Sequence, residues 1–267
     1  PTRASRVVAE AFFQAKQGRP GPVIVGLPED VLYQDFEGEI EAPIPVTEGA
    51  VSAADATYVS EKLAAAQKPL IFAGGGRWTP ESARAIEKFA EINQIPVVHD
   101  FRASDRISFS SPANAGWLGY GRNDRAAELL SEADVLLEVG ALLTDVPSDG
   151  YTLRQDPHAE NIVVNIDTGL RGHSGAISRH ILASPVALAE ALDNINTGEI
   201  SSAQSEWFKN ARRAHQEFST IPSESDWRAT SAGTAHMEAV IKALQDQLPE
   251  EAIFTFGAGN HCIWAQQ

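Results

Sequence analysis

Cysteine and methionine are nearly absent from this chain of 267 residues, which contains only Cys262 and Met237 of these two types. A single cysteine excludes an internal disulfide framework and a cysteine-rich zinc site. It fits a reducing compartment, so the expected location is the cytoplasm. No apolar run approaches the ~20 residues that a membrane helix needs, and we expect no membrane partner.

Positive charge is also scarce. The chain has 21 lysines and arginines against 36 aspartates and glutamates, which gives a formal net charge of −15. This charge repels phosphate backbones, so nucleic acid is not an expected partner. A bound anionic cofactor would have to be held by local backbone amides, helix N-termini or a metal.

Several motifs of known chemistry are missing. The sequence contains neither G-x-G-x-x-G, nor G-x-x-x-x-G-K-[ST], nor H-E-x-x-H, and we predict no metal site. We interpret His99 as a turn residue at a strand end, with a place in the lining of the crevice as the alternative. The other scattered histidines, apart from His261, are interpreted as surface residues: His158, His173, His180, His215 and His236.

Short apolar runs alternate with amphipathic segments along the chain. Helix-start signals stand at Ser52, at Thr79 before Pro80, and at Asn123. Strands separated by single helices indicate parallel βαβ units, and strands that are apolar throughout indicate helices on both faces. The predicted fold is therefore α/β, a doubly wound, mainly parallel, Rossmann-like sheet. The predicted strands cover residues 22–27, 69–73, 96–98, 135–139, 162–166, 181–182 and 254–256.

We interpret the chain, which begins with Pro1, as a whole central domain with a piece of a neighbouring domain on each side. Proline-rich and polar stretches suggest the boundaries. The predicted parts are residues 1–34 of one flanking domain, a linker over 35–50, the central domain over 51–197, a helical linker over 198–232, and residues 233–267 of the other flanking domain.

Glycines and one acid follow the predicted strands at the edge where open α/β sheets bind ligands. Glycine lets a phosphate or ribose approach the backbone, and an acid at a strand end can bond a ribose hydroxyl. Tight turns that need positive φ, or turn capping by the acid, are the alternative. The candidate residues for a present or vestigial nucleotide crevice are Gly74, Gly75, Gly76, Gly119, Gly121, Gly140 and Asp167.

A second candidate site is a glycine-rich stretch with a polar pair, Gly259, Asn260 and His261, which follows the predicted strand at 254–256. Such a stretch is a plausible contact for a diphosphate. A simple turn is the alternative, and the motif alone favours the turn.

These segments, taken together, resemble the thiamine-diphosphate (ThDP) enzymes of the acetohydroxyacid (acetolactate) synthase and 2-oxo-acid decarboxylase superfamily. Residues 19–31 resemble the end of the family's pyrimidine-binding domain. Residues 68–76 resemble the opening of its central domain, of the Rossmann-like type that binds NAD or FAD. Residues 248–265 resemble the opening of its diphosphate-binding domain. The resemblance covers essentially the whole chain in the family's order.

The resemblance implies ThDP and Mg²⁺ as cofactors of the full-length protein and a 2-oxo acid as substrate. It also implies a homodimer or homotetramer, because the family builds its active site between two subunits. Gly259, Asn260 and His261 match positions that contact the ThDP diphosphate, although acetohydroxyacid synthases commonly carry glutamine where Asn260 stands. The family's activating glutamate and metal motif match nothing in these residues, so we assign no catalytic residue or metal ligand and expect this chain to be inactive alone.

The family's central domain binds FAD in acetohydroxyacid synthases and ADP in oxalyl-CoA decarboxylases. Here Leu142 and Leu143 stand where flavin-binding relatives carry arginine and phenylalanine, and Val146 replaces a second arginine. The loss of these cations removes anchors for a pyrophosphate and argues against FAD or ADP. The crevice is then empty or holds another nucleotide. Two other functions stay open: a free-standing nucleotide-binding oxidoreductase domain, and a non-catalytic module for subunit assembly.

Overall fold

A six-stranded sheet forms the centre of the computed structural model, which describes residues 2–221, 236–249, 251–253, 255, 257 and 259–267. The strand order is β3-β2-β1-β4-β5-β6, and every neighbouring pair is parallel. The predicted doubly wound α/β fold is thus confirmed. The strands are β1 (Pro69–Ala73), β2 (Val97–Asp100), β3 (Asn114–Leu118), β4 (Val135–Val139), β5 (Glu160–Val164) and β6 (Arg179–Ile181).

The described residues form nine α-helices, and three of them begin directly after the predicted start signals Ser52, Thr79 and Asn123. The Ser52 hydroxyl accepts a hydrogen bond from the Asp55 amide, and Thr79 forms a capping box with Ser82 ahead of Pro80. These nine helices are α1 (Ala4–Lys16), α2 (Glu29–Leu32), α3 (Ala53–Ala65), α4 (Pro80–Ile92), α5 (Asp124–Glu132), α6 (Pro185–Ala191), α7 (Ser202–Phe218), α8 (Met237–Gln247) and α9 (His261–Gln266).

The sheet separates two apolar layers. Ile71 and Ala73 of β1 pack on one face with α3, α4 and α6, whereas Leu70 and Phe72 pack on the other face with α5 and α7. This alternation follows from the two-residue period of a strand. Both faces are covered, so polar side chains within the strands, such as His99, Asn114 and Asn161, are buried as well. Glu138 in β4 is the one that matters for the site described below.

The strand predicted over residues 22–27 is wrong. These residues form no regular strand, and Ile24 is 95% exposed and Leu27 64% exposed. An apolar run becomes a buried strand only where neighbouring strands take its hydrogen bonds, and the described residues offer none here. Glu29–Leu32 follows as one short helical turn.

Two further differences concern β3 and β5, and one predicted strand is not tested. β3 was not predicted, because its five residues include Asn114 and Gly116 and no β-branched side chain. β5 ends at Val164, two residues earlier than predicted. The strand predicted at 254–256 depends on Phe254 and Phe256, which lie outside the described residues. None of the described helices has the length and apolar character that crossing a bilayer requires.

Candidate functional site: a cleft at the carboxyl edge of the sheet

A cleft of about 440 Å³ opens at the carboxyl ends of the central strands, where the strand order reverses between β1 and β4. Open α/β sheets bind their ligands at this point. Four candidate residues from the sequence line the cleft: Gly75, Gly76, Gly140 and Asp167. Gly74 is buried beside it, with Asp100 and Ala141 as the nearest side chains.

The floor of the cleft is main chain. Gly75 and Gly140 have φ values of +66° and +67°, in the left-handed region that favours glycine. A Cβ atom on Gly75 would lie 1.8 Å from the Gly140 carbonyl oxygen, and one on Gly140 would lie 2.6 Å from the Gly74 carbonyl oxygen. The packing of the two strand ends therefore requires these glycines whether or not a ligand binds. Gly76, in contrast, has open space around its Cα.

The walls of the cleft carry charge of both signs. Arg19, Arg102 and Arg171 line it together with Asp100 and Asp167. Sequence reasoning missed the three arginines because they come from distant segments and follow no motif. Leu142 also lines the cleft and supplies no cation there. The anchoring charges that the sequence lacks at Leu142, Leu143 and Val146 are thus present in the cleft at other positions.

Asp167 is held at the rim by two contacts. Its Oδ1 accepts a hydrogen bond of 2.8 Å from the Gly169 amide, and its Oδ2 lies 3.0 Å from Nη1 of Arg19. The Gly169 amide and the Arg19 guanidinium lower the pKa of this carboxyl below its ordinary value. Asp167 therefore stays ionised at neutral pH and is available as an acceptor for hydroxyl donors.

Arg77 fixes the segment that carries Arg19. Its guanidinium donates hydrogen bonds to the carbonyl oxygens of Lys16 and Gly18, and it pairs with Glu48 at 2.8 Å. Residues 16–19 are therefore docked on the cleft rim, and the Arg19–Asp167 pair joins this N-terminal segment to the loop after β5.

A buried polar cluster lies behind the cleft. The Glu138 side chain in β4 is fully buried and lies 2.5 Å from Nε2 of His173, whose side chain is 3% exposed. The prediction that His173 is a surface residue is therefore wrong. The hydrogen bond and charge of Glu138 outweigh the effect of burial and raise the pKa of His173 above its ordinary value.

Arg154 completes this cluster. Its guanidinium is buried and donates to Oδ1 of Asn161 at 2.7 Å, to the Glu160 carbonyl at 3.0 Å, and to the carbonyls of Leu130 and Ala133. Burial lowers the pKa of Arg154 to about 10, although nearby Glu138 acts in the opposite direction. A charged residue inside an otherwise apolar strand, as at Glu138, was the available sequence signal for such a cluster.

The remaining histidines of the central domain and of α7 range from exposed to buried, with His180 half-buried. His158 is exposed, as predicted. His215 of α7 is 3% exposed, so its assignment to the surface is wrong, and burial together with the charge of Arg212 lowers its pKa to about 4. His99 lies within β2 and is buried rather than in a turn. Histidines on amphipathic helices and in apolar strands can face the core, which sequence position alone does not distinguish.

Gly119 and Gly121 are not among the residues that line the cleft. A Cβ atom on Gly119 would lie 2.6 Å from Cδ1 of Phe101, and one on Gly121 would lie 2.5 Å from Cγ1 of Ile263 in α9. These two glycines therefore serve close packing, and Gly121 does so against the C-terminal helix.

Gly259, Asn260 and His261 are exposed at the start of α9. The Asn260 amide and the His261 ring offer hydrogen-bond donors that suit an anionic diphosphate. Within the described part of the chain, no group of three or more histidine, cysteine, aspartate or glutamate side chains is placed to hold a metal ion. These residues fit part of a diphosphate site and not a complete cofactor site.

Comparison with known proteins identifies the family. The family model described as "Thiamine pyrophosphate enzyme, central domain" matches residues 57–192, about half of the chain. The chain belongs to this family. The match covers the doubly wound sheet and every residue that lines the cleft except Arg19 and Pro20. The site therefore lies in this ThDP-enzyme fold and not in that of a free-standing oxidoreductase.

Curated relatives of this ThDP-enzyme chain are acetolactate synthases. It is 29% identical to the acetolactate synthase isozyme 2 large subunit of Escherichia coli (strain K12), over 98% of this chain and 45% of that protein. It is 27% identical to the acetolactate synthase large subunit of Pyropia yezoensis, over 100% of this chain and 45% of that protein. The acetolactate synthase of Mycobacterium bovis is 28% identical over 98% of the chain. The chain spans less than half the length of these relatives.

Proposed function

We propose that the full-length protein is a ThDP-dependent enzyme that acts on a 2-oxo acid, by acetolactate synthase-type carboligation or by decarboxylation. The observation that supports this most is the central-domain match over residues 57–192, together with alignment of acetolactate synthases along 98–100% of the chain. In this proposal the present segment supplies the central domain and part of the cofactor site.

The roles proposed for this chain's own residues are binding roles. Gly259, Asn260 and His261 contact the diphosphate of ThDP through amide and ring donors. ThDP, when bound with Mg²⁺, supplies the electron sink for the chemistry. The assembly proposed is a homodimer or homotetramer in the cytoplasm, since the resemblance places the active site between subunits.

Turnover by the purified full-length protein tests this function, with pyruvate as the probe. We expect pyruvate consumption that requires both ThDP and Mg²⁺ and yields acetolactate with CO₂, or CO₂ with an aldehyde. The matched control is the 267-residue chain alone, for which we expect no turnover. Pyruvate consumption by that chain would contradict its proposed inactivity. Failure of the full-length protein to turn over any 2-oxo acid would overturn the function.

We further propose that the cleft binds a nucleotide. Gly75 and Gly76 line the cleft with main chain, Arg19, Arg102 and Arg171 supply cations for a diphosphate, and Asp167 supplies an acceptor for ribose hydroxyls. ADP is the probe, because it carries both a ribose and a diphosphate. We expect ADP to bind in calorimetry and Asp167→Asn to weaken it. Equal ADP binding by Asp167→Asn, or none by the unmodified protein, would contradict this assignment.

A further inference from the structure

The loop after β5, residues 165–178, forms one wall of the cleft and is called the cleft loop here. It carries Asp167 and Arg171 to the cleft. The loop is attached at both ends to the segment after β4. At its start, Nδ2 of Asn165 donates to the carbonyl oxygens of Gly140 and Ala141, at 3.2 and 3.0 Å.

The second attachment is at His173 and Ser174. The Ser174 amide donates to the Leu143 carbonyl at 2.8 Å. The Leu143 amide in turn donates to Oε2 of Glu138 at 2.9 Å, and Oε1 of Glu138 lies 2.5 Å from Nε2 of His173. The Glu138 carboxylate therefore joins the central strand, the segment after β4 and the cleft loop at one buried point.

Both nitrogens of the His173 ring face acceptors. Nε2 faces the Glu138 carboxylate, and Nδ1 lies 3.1 Å from the carbonyl oxygen of Gly175. A carbonyl oxygen and a carboxylate oxygen only accept hydrogen bonds, whereas a neutral imidazole carries one proton. A neutral ring can therefore satisfy one of these two contacts, and the doubly protonated ring satisfies both.

The charged groups around His173 shift the pKa of its ring in opposite directions. Glu138 from β4 favours the protonated ring, and Arg154, which donates to Asn161 of β5 and to the carbonyls of Leu130 and Ala133, opposes it. Desolvation also opposes protonation, yet the balance raises the pKa of His173. The contacts with Glu138 and with the Gly175 carbonyl together outweigh desolvation and the charge of Arg154.

We propose that Glu138 and His173 are positioning residues that share a proton, and that this proton holds the cleft loop in the conformation that presents Asp167 and Arg171 to the cleft. As the pH rises and the ring loses its proton, one of its two hydrogen bonds is lost and the cleft loop loosens. The cleft is then less well formed in alkaline solution.

Two substitutions separate this role from simple packing. In Glu138→Gln, the amide oxygen can accept from the Leu143 amide while the amide nitrogen donates to Nε2 of a neutral His173 ring, so both contacts survive without the extra proton. In His173→Ala, both contacts are lost at every pH. The matched control is His158→Gln, because His158 is exposed.

Hydrogen exchange of the peptide covering residues 166–178, measured on the full-length protein by mass spectrometry and corrected for the intrinsic rate, gives the readout. We expect protection of this peptide to fall about tenfold between pH 6 and pH 9 in the unmodified protein and in His158→Gln, the size expected for one buried hydrogen bond. Glu138→Gln should stay protected at both pH values, and His173→Ala should be unprotected at both. Protection that does not change with pH in the unmodified protein, or that falls equally steeply in Glu138→Gln, would overturn the proposal.

The affinity for a nucleotide at two pH values gives a second test, which rests on the proposed binding of a nucleotide in the cleft. With ADP as the probe, we expect several-fold weaker binding at pH 9 than at pH 6 in the unmodified protein, and pH-independent binding in Glu138→Gln. If no variant binds ADP while the exchange results follow the expected pattern, the nucleotide assignment fails and the positioning role stands. If ADP binds with equal affinity at both pH values in the unmodified protein, the link between the shared proton and the cleft is overturned.

Discussion

In the half of the sheet formed by β4, β5 and β6, His173 is buried against the carboxylate of Glu138. In the half formed by β1, β2 and β3, His215 of α7 is buried against Phe109 and Gly116, and its Nε2 has no hydrogen-bond partner among the described residues. Both side chains are almost fully buried, yet the pKa of His173 is raised and that of His215 is lowered to about 4.

This difference shows that burial alone does not decide the charge of an interior histidine. Burial disfavours the charged ring in both places, and only the acceptor at Glu138 reverses the result. The β4–β6 half therefore contains buried charges bound to one another and to carbonyls, whereas the β1–β3 half contains neutral rings. The two halves should respond differently to substitution and to pH.

The largest expected effect comes from removing the cation of the charged half. Arg154→Met leaves the carbonyls of Leu130, Ala133 and Glu160 without their donor and removes one of the positive charges near Glu138. We expect the free energy of unfolding in urea to fall by about 3–5 kcal/mol. The control Arg213→Met, at an exposed arginine, should change it by less than about 0.5 kcal/mol. A loss of similar size in both variants would show that the buried cluster has no special role.

The next largest loss of stability is expected where the two halves of the sheet meet, at the ends of β1 and β4. Gly75→Ala places a Cβ atom 1.8 Å from the Gly140 carbonyl oxygen at a positive φ, so the strand ends must separate. We expect a loss of at least about 2 kcal/mol in the free energy of unfolding. Gly76→Ala meets open space and serves as the matched control, with an effect below about 0.5 kcal/mol. Comparable losses in the two variants would contradict the close approach of β1 and β4.

The neutral half should be sensitive to acid. In the folded protein the pKa of His215 is lowered from 6.5 to about 4. The contribution of the neutral His215 ring to the free energy of unfolding is therefore fully present above pH 6.5 and is lost as the pH falls toward 4. At pH 5 this amounts to about 2 kcal/mol relative to neutral pH. His215→Leu should remove that part of the pH dependence, measured by urea unfolding at pH 5 and 7, whereas His158→Leu should leave it unchanged. Identical pH slopes for the protein and His215→Leu would rule out a neutral buried ring.

The smallest effect on stability is expected at the exposed ion pair on the rim of the cleft, in contrast to the buried pair of Glu138 and His173. Arg19 and Asp167 form an ion pair in which the arginine side chain is 76% exposed. Exposed ion pairs contribute little, so Arg19→Ala should change the free energy of unfolding by less than about 0.5 kcal/mol. It should weaken ADP binding all the same, if the cleft takes a diphosphate. A stability loss as large as that of Arg154→Met would mean that exposure does not weaken these pairs.

The parts of the fold that local patterns control could be predicted from the sequence. Ser52, Thr79 and Asn123 mark helix starts through hydrogen bonds within a few residues, and the apolar runs at 69–73 and 135–139 identify central strands. β3 could not be found in this way, because burial between β2 and α7, and not its own composition, makes Asn114–Leu118 a strand.

The candidate site was predicted in part. Gly75, Gly76, Gly140 and Asp167 follow strands, and the strand order brings them to one cleft. Arg19, Arg102 and Arg171 could not be assigned to that cleft, since their meeting depends on how three separate loops fold over the edge of the sheet. The contact between Glu138 and His173 joins residues 35 positions apart and leaves a trace in the sequence only as one acid within an apolar strand.

The close contact between the ends of β1 and β4 has a consequence for how this cleft can change. A side chain at Gly75 or Gly140 of its floor would meet a carbonyl oxygen, so substitution at either position forces the two strand ends apart. Substitutions that change the chemistry of this cleft and keep the sheet intact are therefore confined to its walls, at residues such as Arg102, Leu142 and Arg171.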